Sequence, residues 1–297
     1  MAAEPAERSQ SDVDGLVRLL DLEQIEDGIF RGVSPASRLQ RVFGGQVAGQ
    51  ALVAAGRTVD DDRHVHSLHS YFIRPGDPSV PIVYEVDRVR DGRSFSTRRT
   101  VAIQHGKPIF TLSASFQLEQ PGIEHQAEMP DAPDPETLPR FEERISGVPG
   151  VSEFFLNQPR PIDMRHVDPP PWEQRELGPR AGVHRVWMRA DGRLPDDPLL
   201  HVCVLTFASD MTLLDSVLLR HGLAPGFDPI SMASLDHAMW FQRRFRADEW
   251  FLYVTQSPAA AGGRGLATGR FFDQSGRHLV SVVQEGMIRI REETESK

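Results

Sequence analysis

Cysteine is nearly absent: Cys203 is the only one in 297 residues. No internal disulfide can staple the chain, and no thiolate cluster can hold a metal. Cys203 lies in the apolar run His201–Ala208, which reads as a buried strand and marks the thiol as core filler rather than a nucleophile. Lysine is also scarce. Lys107 and Lys297 are the only two, so arginine carries the rest of the positive charge, a bias of base composition rather than mechanism. The net charge of −9 argues against a nucleic-acid binder, because phosphate binding draws on clustered positive charge.

Long hydrophobic runs are missing too. Nothing approaches the roughly 18 uncharged apolar residues of a membrane span. The N-terminus is polar and acidic, unlike a secretory signal, and the last residues, Glu-Ser-Lys, lack the final Leu of a peroxisomal address. The default expectation is therefore a cytoplasmic protein. Familiar catalytic signatures are absent as well. There is no His-Glu-x-x-His run and no Gly-x-Ser-x-Gly elbow for a serine acyl-enzyme. Gly262–Gly265 lacks the lysine and spacing of a phosphate loop and reads as a turn into a strand.

What is present is a unit used twice. After a short disordered tail, a helix around Leu16–Leu20 and a strand at Ile25–Arg31, the segment Phe43–Ala55 reads as a helix that is apolar or small nearly all round, hence buried. Four strand-like runs follow at Val65–Arg74, Ile82–Val89, Ser94–Gln104 and Pro108–Leu118, with turn signals at Asp91-Gly92 and His105-Gly106. A Pro-rich acidic stretch with one helix near Phe141–Ile145 separates this set from the next. The second set has strands at Arg160–Val167, Arg185–Arg189 and Val202–Ala208, then a helix at Asp210–His221 stopped by Gly222. Its last four strands are Ser234–Arg243, Trp250–Gln256, Arg264–Phe272 and His278–Arg289. Laid on each other, the halves match His69–Arg74 with His237–Gln242, and Gly106 with Gly276. The expected boundaries are 12–120 for the first domain, 121–159 for the connector and 160–292 for the second. An antiparallel sheet wrapping a central helix satisfies each half, and two such units pair into one continuous sheet.

The motifs Val42-Phe-Gly-Gly-Gln-Val-Ala-Gly-Gln-Ala-Leu52, Phe207-Ala-Ser-Asp210, Ser234-Leu-Asp-His-Ala-Met-Trp240 and Val283-Gln-Glu-Gly286 resemble the type II acyl-CoA thioesterases. The resemblance runs from about Leu20 to Arg289 and is weakest in the connector. It implies an α+β double-hotdog fold and hydrolysis of acyl-CoA to a free fatty acid and CoA, with no cofactor or metal. The family's catalytic aspartate, hydroxyl and glutamine fall on Asp210, Ser234 and Gln284.

The residue types suit the chemistry. An activated thioester needs a positioned water, a proton acceptor and donors for the oxyanion. Asp210, read as opening a helix, would be favoured as the carboxylate by the macrodipole. Ser234 both donates and accepts, and Gln284 adds an amide. Each has a bland reading: Asp at a helix start is commonly a cap, and a lone Ser is commonly a strand or turn hydroxyl. Gln284 is the odd one out, since it interrupts the apolar run Leu279–Val283. Its counterpart in the first half is Ala114, and His66 stands where the second half has Ser234, so only the second half keeps the triad. Asp215 reads as a surface charge or a support for Asp210. Asp236 and His237 point to opposite faces and cannot pair readily. Gly44-Gly45 could present N–H groups to an anion, or simply let the helix approach the sheet, the preferred reading. CoA's phosphates call for arginines at the mouth, with Arg93, Arg243 and Arg264 as candidates. Met211, Leu214 and Trp240 are candidate walls of an acyl tunnel. Two alternatives stay open, a hotdog enoyl-CoA hydratase and a non-catalytic acyl-CoA binding protein. Exposed sheet edges suggest a homodimer or homotetramer.

Overall fold

A computed structural model describes residues 5–35, 41–149, 151 and 158–291. The expected N-terminal tail lies partly outside these residues. From Pro5 onward the chain is helical: α1 spans Pro5–Leu20 and buries Val13, Leu16 and Leu20 on one face. A hairpin, β1 (Glu23–Glu26) and β2 (Ile29–Gly32), turns at Gly28 with φ 71° and replaces the single strand expected there. Next comes α2 (Gly44–Gly56), whose residues from Gly45 to Ala55 are all buried. The four strands after it are β3 (Arg63–Phe72), β4 (Ile82–Asp91), β5 (Phe95–Gln104) and β6 (Lys107–Leu118). The connector carries α3 (Phe141–Ile145).

In the second half β7 (Ile162–His166), α4 (Pro171–Leu177) and β8 (His184–Ala190) lead into α5 (Pro198–Ser209). The strand expected at Val202–Ala208 is thus the body of a helix. A wholly apolar run carries no periodicity to separate the two states, and the deciding signal lies upstream. Asp197 caps the helix by accepting from the N–H groups of Leu199 and Leu200, and Pro198 occupies the first turn. The helix expected from Asp210 shrinks to α6 (Asp215–Leu219), with turns between. Gly222 follows it in the left-handed region, φ 65°. The remaining strands are β9 (Ile230–Ser234), β10 (Asp236–Phe241), β11 (Phe251–Ala261), β12 (Arg264–Asp273) and β13 (His278–Ile290).

All strands form one antiparallel sheet in the order β1-β2-β4-β5-β6-β3-β10-β13-β12-β11-β8-β7, with β9 also on β13. The order reads the same from either end, once β10 is matched to β3 and β13 to β6. The halves join where β3 pairs with β10, Leu68 opposite Met239. This is the continuous α+β double-hotdog sheet expected.

The two central helices run antiparallel and touch backbone to backbone. A Cβ on Gly45 would stand 2.3 Å from the Phe207 carbonyl oxygen, and one on Gly49 3.2 Å from that of Cys203. Glycine is required at the first position because nothing else lets the helices approach so closely. Gln50 secures α2 further, donating to the Leu19 carbonyl at the end of α1 at 2.6 Å and accepting from the Tyr84 hydroxyl at 2.7 Å. The connector covers the outer face of the second half, where Trp187 donates its indole N–H to the Pro133 carbonyl beside Trp250, Leu252 and Phe272.

Two buried histidines beneath α4 make this half acid-sensitive. The rings of His166 and His184 lie 5.6 Å apart. Burial pushes His166 well below its ordinary range and His184 down to about 4. An unfolded histidine titrates near 6.5, so the unfolded state binds more protons below that pH. Stability is full above pH 6.5 and falls as pH drops towards 4. For His184 alone the loss by pH 5 is roughly 2 kcal/mol. Urea unfolding between pH 7.5 and 5 should show this decline, and His184→Phe should flatten it. Equal slopes for both proteins would contradict the account.

Candidate active site

Asp210 is the C-cap residue of α5, not the start of a helix. Its own helix dipole therefore opposes a negative charge there. The compensation comes from the other half: the Gly45 backbone N–H, in the first turn of α2, bonds the carboxyl. A Cβ on Gly44 would meet Asp210 Oδ2 at 2.5 Å. The paired glycines thus serve both readings, close helix packing and N–H groups aimed at an anion.

The three predicted residues meet. Gln284 Nε2 donates to Asp210 Oδ1 at 2.9 Å and to Ser234 Oγ at 2.6 Å, and Ser234 Oγ donates to Asp210 Oδ1 at 3.3 Å. Burial raises the Asp210 pKa, while His237, Gln284, Ser234 and Gly45 all pull it down. Three converging donors fit the ionised carboxylate.

One participant was passed over from sequence. His237 is buried and bonds Gln284 Oε1 through Nδ1 at 2.6 Å and Ser209 Oγ through Nε2 at 2.8 Å. The Gln284 oxygen can only accept, so Nδ1 carries a proton. Burial pushes the ring towards neutrality, and the Ser209 hydroxyl beside Nε2 also lies 2.9 Å from the Thr206 carbonyl. His237 thereby fixes which way the Gln284 amide faces. The rule that Asp236 and His237 point apart holds, since Asp236 accepts from the Glu285 N–H instead. It was correct for that pair and silent about Gln284.

The matching of the halves needs a correction of one residue. Met239 pairs with Val282 as Ser70 pairs with Leu112, and Phe241 with Val280 as Phe72 with Phe110. His237 is therefore level with buried Leu68, not exposed His69. Likewise Ser234 opposite Gly286 matches Val65 opposite Phe116, so His66 is not its counterpart. A one-residue slip turns every side chain to the other face. In the first half the three sheet positions are Val65, Leu68 and Ala114, all apolar.

Asp210 and Ser234 line a cavity of about 510 Å³ between the halves. Its apolar wall includes Phe43, Val47, Phe72 and Ile109 from the first half with Met211 and Leu214 from the second. Trp240 is not part of it. That ring is on the opposite face of β10, against His69 at 5.2 Å. Nor do Arg93, Arg243 and Arg264 line it: Arg243 pairs with Glu124 and Arg264 with Glu285, and the cations on its rim are the exposed Arg41 and Arg74. Cys203 is buried with its thiol pushed up, which suits core filling. A larger cleft of about 890 Å³, lined by Arg140, Arg189 and Asp191, is filled with ion pairs and lies away from this cluster.

The acyl-CoA thioesterase pattern matches residues 156–287, and that of the acyl-CoA thioesterase N-terminal domain residues 33–117. Human acyl-coenzyme A thioesterase 8 is 43% identical over 94% of this chain and 90% of its own length. The chain belongs to the acyl-CoA thioesterase family. An acyl-CoA thioesterase II from Mycobacterium marinum has the same fold, with a TM-score of 0.77 and 46% identity over 93% of this chain and 99% of that one. The activity of this thioesterase is hydrolysis of acyl-CoA. No described helix is long and apolar enough to cross a membrane. The cytoplasmic expectation is overturned. A yeast relative, 28% identical over 83% of this chain and 85% of its own, is a peroxisomal acyl-coenzyme A thioester hydrolase. The default had rested on missing signals, which are not an address.

Gly44→Ala tests how tightly α2 abuts the carboxyl. The methyl group would displace Asp210, so kcat should fall at least ~10-fold, the scale of a misplaced reacting group, with Tm nearly unchanged. Gly45→Ala should instead cost about 1–3 kcal/mol of stability through backbone overpacking. Unaltered kcat in the first variant would show that the contact does not constrain Asp210.

Proposed function

We propose that this thioesterase works through a water molecule held by Asp210, Ser234 and Gln284, with the convergence of the three side chains carrying the reading. Asp210 is the general base: its Oδ1 is occupied by Gln284 and Ser234, which leaves Oδ2 to the water. As the water oxygen attacks the thioester carbonyl carbon, one of its protons passes to Asp210. The tetrahedral intermediate collapses with cleavage of the C–S bond, and the thiolate takes that proton back. The Gly44 backbone N–H, at the first position of α2, is a donor for the oxyanion. Gln284 and Ser234 spend their hydrogens on Asp210 and on each other, which fixes the carboxylate and through it the water's orientation and removes part of the entropic barrier. In this scheme the first half has a share in the chemistry through α2, although it lacks the triad.

The hydratase alternative would need a histidine free to act on substrate. His237 is 1% exposed and spends both nitrogens on Gln284 and Ser209, which supports the hydrolytic reading. Asp210→Asn and Gln284→Ala should each lower turnover at least ~100-fold, the scale of losing a general base or its orienting partner, with circular dichroism unchanged. Thiol release is read on saturated acyl-CoA and hydration on a 2-enoyl thioester. Full activity of either variant, or hydration without thiol release, would remove the mechanism.

The reading extends to assembly. The sheet ends in β1 and β7, and unpaired edges of this kind are commonly closed by self-association. A homodimer or homotetramer is expected in sedimentation velocity; a monomer at micromolar concentration would count against it.

A further inference from the structure

The cavity contains a second carboxyl with no partner. Asp215 lines it together with Met211, Leu214, Met232 and Ala233. The residue lies deep in the fold yet keeps some accessible surface, because it faces the cavity. Among the described residues nothing hydrogen-bonds or ion-pairs with its carboxyl. The other deep aspartates differ: Asp163 meets Arg165, Asp168 meets Arg180 and Arg185, and Asp248 meets Arg246. Asp210 has its ring of donors. A desolvated carboxyl left unpaired is costly, so its retention in the wall calls for a partner that arrives with the substrate.

Position decides what that partner is. The exposed residues of the cavity, Arg41, Ile73, Arg74 and Pro75, mark its open end. Asp215 is half-buried in the wall that Met211, Leu214, Met232 and Ala233 also line, an apolar surface along which an acyl group can run. Burial alone perturbs its carboxyl, which titrates at about 7. Among the described residues no hydrogen bond joins it to Asp210, whose partners are Gln284 and Ser234. A plain alkyl chain would leave this group desolvated and unbonded. A cationic chain would have to pass Arg41 and Arg74, and an anionic one would meet a second carboxylate. A hydroxyl suits both protonation states, since it donates to a carboxylate and accepts from a carboxylic acid.

We propose that Asp215 is a specificity-determining residue that selects acyl groups carrying a hydroxyl on the chain, by supplying its hydrogen-bond partner in the apolar wall of the cavity. This rests on the thioesterase reading above. The test compares kcat/KM of the full-length enzyme for dodecanoyl-CoA with hydroxydodecanoyl-CoA isomers bearing the hydroxyl at successive positions. Wild type should prefer at least one isomer over dodecanoyl-CoA by about tenfold, since a site built to bond a hydroxyl rejects the analogue without it. Asp215→Leu should abolish that preference, bringing the ratio of kcat/KM for the hydroxylated and plain substrates to about one. Asp215→Asn should retain most of it. If the leucine variant does not fold, Asp215→Ala carries the same expectation. A flat profile in wild type, or a preference that survives Asp215→Leu, overturns the proposal and leaves the hydrolytic mechanism standing. Failure of wild type to release thiol from any of these thioesters defeats both.

Discussion

A carboxyl buried at the wrong end of its own helix is the constraint around which this fold is arranged. Asp210 sits at the C-terminus of α5, where free carbonyl groups repel an anion. Three separate elements offset that penalty: α2 through Gly45, β9 through Ser234 and β13 through Gln284. None of these donors is near Asp210 in sequence. They reach it only because α2 and α5 pack at backbone contact, which in turn depends on small residues at 45 and 49. Packing and electrostatics are one requirement here. A helix pair held a few ångströms further apart would leave the carboxyl without its cross-helix N–H.

The duplication explains why the polar cluster is one-sided. Both halves build the same pleated surface, and inward positions on β3 and β6 match those on β10 and β13. The first half fills its three sheet positions with Val65, Leu68 and Ala114, which pack without demanding partners. The second places Ser234, His237 and Gln284 there, a set that is satisfied only as a whole. Gln284 orients on His237, which orients on Ser209, so no member can be exchanged for an apolar residue without orphaning its neighbour. A first half free of this network can contribute helix N–H groups and apolar wall instead.

Much of this was legible beforehand. Period-2 alternation and glycine turns marked nearly all the strands, because those signals are local. The double sheet followed from the repeated order of elements, and the meeting of Asp210, Ser234 and Gln284 from motifs matched one by one. What escaped was decided by tertiary context. His201–Ala208 is apolar throughout, so only Asp197 and Pro198 upstream reveal a helix. The second central helix begins at Pro198 and ends at Asp210 rather than starting there, and the dipole argument for Asp210 fails with it. The sequence superposition of His237 on His69 looked natural because both are histidines, yet the pleat puts them on opposite faces. The wall residue Trp240 failed for the same reason.

Asp210 and Asp215 put the same chemical group in two different settings a few residues apart. Both carboxyls face one cavity and both are pushed up by burial. Asp210 is surrounded by donors that favour the ionised form and fix its orientation, which is what a base acting on one water needs. Asp215 has no such ring, so its protonation follows its surroundings and its hydrogen-bonding capacity remains open. A group without protein partners cannot position a water for chemistry, since nothing fixes the group itself. It can only answer to whatever is brought alongside it. On these grounds we propose the first carboxyl for the reaction and the second for the choice of acyl group.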